Sequence, residues 1–403
     1  QRYTANKLIL MKILIIHNKY QSNNIGGEDI VYKNELNALR KKLGDENVFC
    51  YEVSNDNINK FKLLFEIWFS KKYYKEVRKI IKENGIEIVH VHNFFPLLTP
   101  AVFKAAKDSK TKVIHTLHNY RLWCISGILY RDGFGICEIC AHKTFSLSGI
   151  LNRCYRKSLL QSLVAQLAFW FYKLIGAFKN IDYFFVLTNF QKDKVKSLGV
   201  SESKIILKPN SLQMKFSIET QKHNYVYVGR LEESKGILGL LEIWDQLDEK
   251  YILTIVGGGD IEAQLRQRYT KSNIIFKGKC SREETITIIS HSKYLLQPSL
   301  LYETFGLTIV EAMSVGVPVI GYDIGTRGDF IKDGVNGFLS GPDELKNVIE
   351  RSYDFENYDK LSKAAKESAK QYKNEYVIEN QIEIYKNILE NKFENINHNG
   401  SLE

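Results

Sequence analysis

The run NYVYVGR, residues 224–230, reads as a short β-strand that stops at Gly229 and is followed at once by a cation, Arg230. An alternation of strands and helices has already been completed upstream, and it starts again here. In the first half, KILIIHN (12–18), IEIVHVHN (86–93), TKVIHTLHN (111–119), DYFFVLTN (182–189) and SKIILKPN (203–210) are apolar strand-like runs separated by helical patterns. In the second half NYVYVGR is followed by YILTIVGGG (251–259), NIIFKGK (273–279), YLLQPS (294–299) and PVIGYD (318–323). Near-continuous β-branched runs with helices between them predict parallel sheets covered on both faces. The restart therefore predicts two α/β domains, residues 11–212 and 213–374, joined near Pro209–Ser217, with a last helical pattern at 375–392.

The bulk properties agree with two cores. The chain has 403 residues, 44% of them hydrophobic and 25% charged, which is too long for one ordinary domain and normal for a globular protein. The net charge of +10 is unevenly placed: residues 1–210 carry +16 and residues 211–403 carry −6. A basic first half fits an anionic partner, such as a phosphorylated ligand or an acidic membrane surface. Solvated lysines from a Lys/Asn-rich genome fit equally well. No recognised nucleic-acid module accompanies the basic half. MKILIIH places a natural start at Met11; residues 1–10 and the terminal NGSLE stay outside the fold reading. No secretion signal and no run of 18 apolar residues is present, which predicts a cytoplasmic protein.

In open α/β sheets ligands bind beyond the carboxyl ends of the strands, and the distinctive residues fall there. In YETFGLTIVEA, Glu303 precedes a predicted helix that begins near Gly306, and Glu311 lies inside it. Eight residues put them about 80° apart at ~3.6 residues per turn, so they form no acid/base pair on one face. The free N–H groups of Phe305, Gly306 and Leu307 suit a phosphate, with Thr308 alongside, and a carboxylate at each end suits sugar hydroxyls. In YVGRLEESKGI, Gly229 ends the strand, and Arg230 and Lys235 can neutralise a diphosphate. GGGD (257–260) lacks the spacing of a dinucleotide fingerprint; its glycines permit close approach to a base or ribose. His118 ends a strand of the first half, where a structural histidine and a cleft histidine are both reasonable.

These stretches resemble the retaining glycosyltransferases of glycosyltransferase family 4, which have the GT-B fold: two Rossmann-like domains facing each other across a deep cleft. The likeness covers nearly the whole chain and rests on Glu303-x7-Glu311, GRLEESKG (229–236), GVPVIGYDIGTRGDFIKDGVNGFL (316–339), GGED (26–29) and HTLHNYRLWC (115–124). It is strongest to bacterial members that build capsule, exopolysaccharide or lipopolysaccharide. The resemblance implies a nucleotide-diphosphate sugar donor and a glycan or lipid-linked acceptor. It implies that Arg230 and Lys235 hold the diphosphate, that Phe305–Leu307 hold the distal phosphate, and that Gly26 and Gly27 approach it from the other domain. Glu303 would bind donor-sugar hydroxyls, Glu311 the ribose, Lys279 and Cys280 the base, and His118 the reacting centre. No cofactor is required in that scheme. A sugar-nucleotide epimerase on a similar fold and a non-catalytic nucleotide-sugar binder are the competing readings.

Cys124, Cys137, Cys140 and Cys154 lie in one segment with the spacing C-x12-C-x2-C-x13-C. A structural zinc site, reduced free thiols and redox use are the three readings. Immediately after it, LLQSLVAQLAFWFYKLIGAF (159–178) reads as a helix interrupted by Gln161, Gln166 and Lys173. With Arg153, Arg156 and Lys157 before it and Trp170 and Tyr172 inside, it fits either peripheral binding to an anionic membrane face or a core helix of the first domain.

Overall fold

The computed structural model describes residues 11–20, 26–213 and 224–393; part of the predicted Pro209–Ser217 linker, residues 1–10 and the terminal NGSLE lie outside them. The first domain contains β1 (Ile13–Lys19), β2 (Val48–Ser54), β3 (Ile88–Asn93), β4 (Lys112–Thr116), a hairpin of β5 (Tyr130–Arg131) and β6 (Gly135–Ile136), then β7 (Tyr183–Val186) and β8 (Ile205–Leu207). The second contains β9 (Asn224–Val228), β10 (Leu253–Val256), β11 (Ile274–Gly278), β12 (Ser292–Gln297), β13 (Val319–Tyr322) and β14 (Gly337–Ser340). Apart from the hairpin, each domain has one six-stranded sheet, ordered β2-β1-β3-β4-β7-β8 and β11-β10-β9-β12-β13-β14. Every pairing in both is parallel.

Parallel strands explain the continuous apolar runs: with helices on both faces, alternate residues of β1 are buried on opposite sides. Leu14 and Ile16 join one cluster and Ile13 and Ile15 another. In the second sheet the order reverses between β9 and its neighbours β10 and β12. That switch point opens a crevice at the carboxyl ends of β9 and β12.

The last helix, Asn374–Leu389, does not stay with the second domain. Its Ile378, Ile384, Tyr385 and Ile388 pack with Met11, Ile13, Ile15, Tyr32 and Leu36 of the first. The chain crosses back beside the linker, where the Leu212 N–H donates to Tyr372 O at 2.7 Å and the Asn374 N–H to Leu212 O at 3.1 Å.

The stretch read as one helix over 159–178 forms a helix at Leu159–Leu174 and a separate turn at Ala177–Asn180. Ala165, Ala168, Phe169 and Tyr172 are buried in the first core. Its start is not: Leu159 and Leu160 are 49% and 67% exposed, as are Leu147 and Leu151 at 62% and 70%. The segment is thus a core helix of the first domain with an exposed apolar end. Among the described residues no helix is long and apolar enough to cross a membrane.

Candidate functional site

The residues singled out at strand ends converge on the crevice beyond β9 and β12. β9 delivers Gly229, Arg230 and the turn Glu233–Lys235; β12 delivers Ser299 and Glu303. Lys235 Nζ and Glu303 Oε1 are 2.6 Å apart, with side chains only 18% and 15% exposed. The Ser299 hydroxyl donates to the same oxygen at 2.9 Å. Burial alone would raise the Glu303 carboxyl, but Lys235, the Arg327 guanidinium and Ser299 hold it below its ordinary value. The two residues assigned separately to diphosphate and sugar are therefore each other's partners. Arg230 is exposed and, among the described residues, pairs with Glu232 at 3.1 Å, leaving it the more accessible cation.

Gly306 takes a left-handed backbone (φ 91°, ψ 58°) that starts the helix Leu307–Ser314, a conformation glycine adopts without strain. The Phe305 side chain is core, ringed by Phe330 and Tyr372, so only its backbone can serve a ligand. The Thr308 hydroxyl accepts from Gln297 Nε2 at 3.2 Å. From the first domain, a Cβ on Gly27 would lie 3.4 Å from Leu307 Cδ1, so the GGED turn faces the start of this helix. The Gly26 N–H donates to Asp29 Oδ2 at 3.0 Å.

Glu311 is bound by a residue the sequence reading did not single out. Arg282 approaches Glu311 Oε1 through Nε at 3.0 Å and Nη2 at 2.9 Å. Burial still outweighs that cation and pushes the Glu311 carboxyl up. Arg282 begins the helix after β11, capped by Ser281, so the Lys279–Cys280 turn lies next to the residue that pairs with Glu311. Lys279 is exposed with its stem over Gly258. The Cys280 Sγ lies 3.8 Å from Gly278 O.

The GGG loop packs closely against its own domain. A Cβ at Gly257 would sit 1.9 Å from Gly229 O, and one at Gly259 would sit 2.2 Å from Leu231 O. These two glycines let the loop after β10 press against the backbone of the Gly229–Leu231 turn.

His118 lies just past β4, against the second domain: the Thr304 hydroxyl donates to its carbonyl at 3.0 Å. Its ring stacks on His92, with centroids 5.1 Å apart and Nε2 2.9 Å from His92 Nδ1. Burial, then His92 and His17, keep the His118 ring well below the usual histidine range, hence neutral. Behind His92 is Glu35, 1% exposed, whose oxygens meet His92 Nε2 at 3.3 Å and the ammonium of Lys208. Gln381 Nε2 of the last helix donates to Glu35 Oε1 at 2.6 Å, and Tyr385 of that helix meets His90 Nδ1 at 2.7 Å. Glu35, His90 and His92 are close enough for a metal ion, but the buried Lys208 already supplies the cation.

A crevice at a topological switch point, cations after the first strand and a carboxylate before a glycine-started helix define the protein as a GT-B glycosyltransferase. The chain belongs to glycosyltransferase family 4: residues 38–214 match the model described as Glycosyltransferase Family 4, and residues 211–372 match Glycosyl transferases group 1. It is 24% identical over 328 residues to an uncharacterized 41.2 kDa protein in the cps region of Klebsiella pneumoniae, covering 76% of this chain and 81% of that one. It is 27% identical over 178 residues to O-antigen chain mannosyltransferase C of Escherichia coli, covering 42% and 47%. Its fold is similar to that of Anabaena HepE in complex with UDP (TM-score 0.65, 16% identity, 93% and 100% covered). The lipopolysaccharide outer core galactosyltransferase WaaB is likewise similar (TM-score 0.62, 19% identity, 95% and 100% covered).

Proposed function

We propose that the protein is a retaining glycosyltransferase that moves a sugar from a nucleotide-diphosphate donor to a glycan or lipid-linked acceptor in cell-surface polysaccharide synthesis. The observation that carries this is the half-buried Lys235–Glu303 pair at the switch point of the second sheet, beside the helix start at Gly306. An O-antigen chain mannosyltransferase among the relatives and a structural neighbour in complex with UDP support the donor and the product class.

In this reading the bond between the anomeric carbon and the diphosphate oxygen breaks as negative charge grows on the leaving phosphate. Arg230, Lys235 and the N–H groups at Gly306–Leu307 stabilise that charge, an effect commonly worth several kcal/mol in preorganised sites. The acceptor oxygen bonds to the same face, and its proton passes to the departing phosphate. Glu303 orients the sugar through its hydroxyls, Glu311 holds the ribose, the Lys279–Cys280 turn flanks the base, and His118 lies at the reacting centre. Arg230 and Lys235 supply the positive charge this scheme needs.

The exposed Leu147, Leu151, Leu159 and Leu160 beside Arg153, Arg156 and Lys157 support contact with an anionic membrane face, where a lipid-linked acceptor would lie. Flotation with anionic liposomes at low salt tests it; no binding removes it.

The transfer reading is tested with nucleotide-sugar and lipid-extract panels followed by mass spectrometry. Arg230→Ala and Glu303→Ala should nearly abolish transfer with the fold intact, and near-wild-type turnover in either removes the assignment. Sugar isomerisation without acceptor would establish an epimerase instead; donor binding with no turnover would establish a binding protein.

A further inference from the structure

We propose that Cys124, Cys137, Cys140 and Cys154 form a structural zinc site that braces the donor-side loop of the second domain. All four line one small cavity together with Tyr130 and Arg131, and none is in a disulfide. Across residues 120–158 regular structure is limited to the two-residue strands β5 and β6 and the helix Leu147–Leu151, so few backbone ladders hold this segment and a cross-link would add much of its order. Arg131 lines the same cavity and would offset the charge of thiolate ligands. Zinc binding would release the four S–H protons to solvent.

The sulfurs are not at ligand spacing as they stand. A tetrahedral site with Zn–S near 2.3 Å sets sulfurs roughly 3.8 Å apart. Among the described residues, the only trio of ligand atoms all within 4.8 Å is Glu35, His90 and His92. Two thiols are turned to serines instead: Cys124 Sγ is 3.1 Å from Ser126 Oγ, and Cys140 Sγ is 3.2 Å from Ser146 Oγ. Rotation between staggered wells would redirect them. What the site would brace is the hairpin between Cys124 and Cys137. The Gly133 N–H of its turn donates to Glu233 Oε1 at 2.7 Å, and the Tyr130 hydroxyl lies 3.4 Å from the same oxygen. Glu233 opens the turn that carries Lys235 to Glu303.

Metal analysis of protein purified without chelator from zinc-supplemented cells should find about one zinc per chain. Less than about a tenth of an equivalent overturns the proposal, as does one equivalent retained by the Cys137→Ser/Cys140→Ser variant. The Cys50→Ser/Cys280→Ser variant should keep its zinc. Stripping the metal should expose the segment to trypsin at Arg131 and Arg153 and raise the donor KM; an unchanged digestion pattern overturns the bracing role.

A different set of contacts bears on His118. We infer that His92 is a positioning residue that fixes His118 as its Nε2–H tautomer, leaving Nδ1 as a hydrogen-bond acceptor. Glu35, paired with buried Lys208, is an ionised carboxylate and can only accept. His92 Nε2 faces Glu35 Oε1 at 3.3 Å without hydrogen-bond geometry; beside an ionised carboxylate the proton of that neutral ring is favoured there over a second lone pair. Its Nδ1 is then a lone pair, and the 2.9 Å contact is a donation from His118 Nε2–H. On the transferase reading, Nδ1 of His118 accepts from a hydroxyl of the sugar.

Nitrogen-15 spectra of histidine-labelled protein, with His118→Gln for assignment, should show a bare Nδ1 and a protonated Nε2; the reverse pattern overturns the inference. This readout needs no sugar, so it stands apart from the transfer reading. In turnover, His92→Leu should lower kcat roughly tenfold or more with the donor KM little changed. His92→Asn, which keeps an acceptor, should recover part of that, and equal losses in both would overturn the acceptor role.

Discussion

Replacing Glu303 by glutamine should tighten the binding of a bare nucleoside diphosphate while destroying transfer. Lys235 is held by the Glu303 carboxylate at 2.6 Å in a site where both side chains are more than four-fifths covered. A diphosphate that recruits Lys235 must first compete with that carboxylate and tolerate its charge. A charge-assisted hydrogen bond is worth about 1.5–3 kcal/mol net, and a neutral one about 1. Glutamine keeps the neutral bond, so the substitution removes about 0.5–2 kcal/mol of competition, or ~2–30-fold in affinity. Calorimetric titration of Glu303→Gln and wild type with UDP and GDP measures it, with circular dichroism to confirm the fold. Unchanged or weaker diphosphate binding in the folded variant would refute the idea that Glu303 restrains Lys235. The opposite sign is expected for turnover, because in the proposed function the carboxylate that opposes the diphosphate also holds the sugar.

Glu311→Ala should weaken UDP binding by about 1–3 kcal/mol with a smaller effect on kcat; unchanged affinity by calorimetry contradicts a ribose role. Glu35→Ala strands the buried Lys208 ammonium and removes a partner of Gln381, which should cost about 3–5 kcal/mol in urea unfolding; a loss below about 1 kcal/mol would mean the pair is not the buried tie it looks to be. Glu28, in the GGED turn, has its carboxyl raised to about 7 chiefly by burial, against the lowering effect of His17 and Arg121. The folded state then binds the proton more tightly than the unfolded, so this contribution to stability is full below the ordinary carboxylate value near 4.5 and is lost as pH rises through about 7. Urea midpoints at pH 5 and pH 8 should differ more in wild type than in Glu28→Gln, and an equal difference in both would exclude Glu28 as the source.

The strands were legible because both faces of a parallel sheet are covered, so KILIIHN and NYVYV announce themselves by continuous apolar residues. Arg230, Lys235, Glu303 and Glu311 were legible because strand ends and helix starts are local events with local signatures. Arg282 was not: it is one more surface-like arginine in CSREE until the fold brings it to Glu311. His92 was read only as part of a strand, since nothing local says its ring meets His118, 26 residues on. The packing of the GGG loop on the Gly229–Leu231 turn was not legible, because glycine signals close approach without naming what approaches. The helix at Leu159–Leu174 was ambiguous because apolar content does not say which end the core covers.

By itself, then, the sequence determined the doubled alternation, the parallel sheets and the residue types available at each strand end, since periodicity and turn chemistry act over a few residues. Only the tertiary structure decided which of those groups meet. Lys235 and Glu303 are neighbours because β9 and β12 lie side by side at the switch point of the second sheet. Glu35 pairs with Lys208 and Gln381 because the strand order of the first sheet and the returning last helix bring distant segments into one buried layer. Unpaired charges there would be costly to bury, so the partners that satisfy them are set by packing across the fold and leave no mark in any short stretch of sequence.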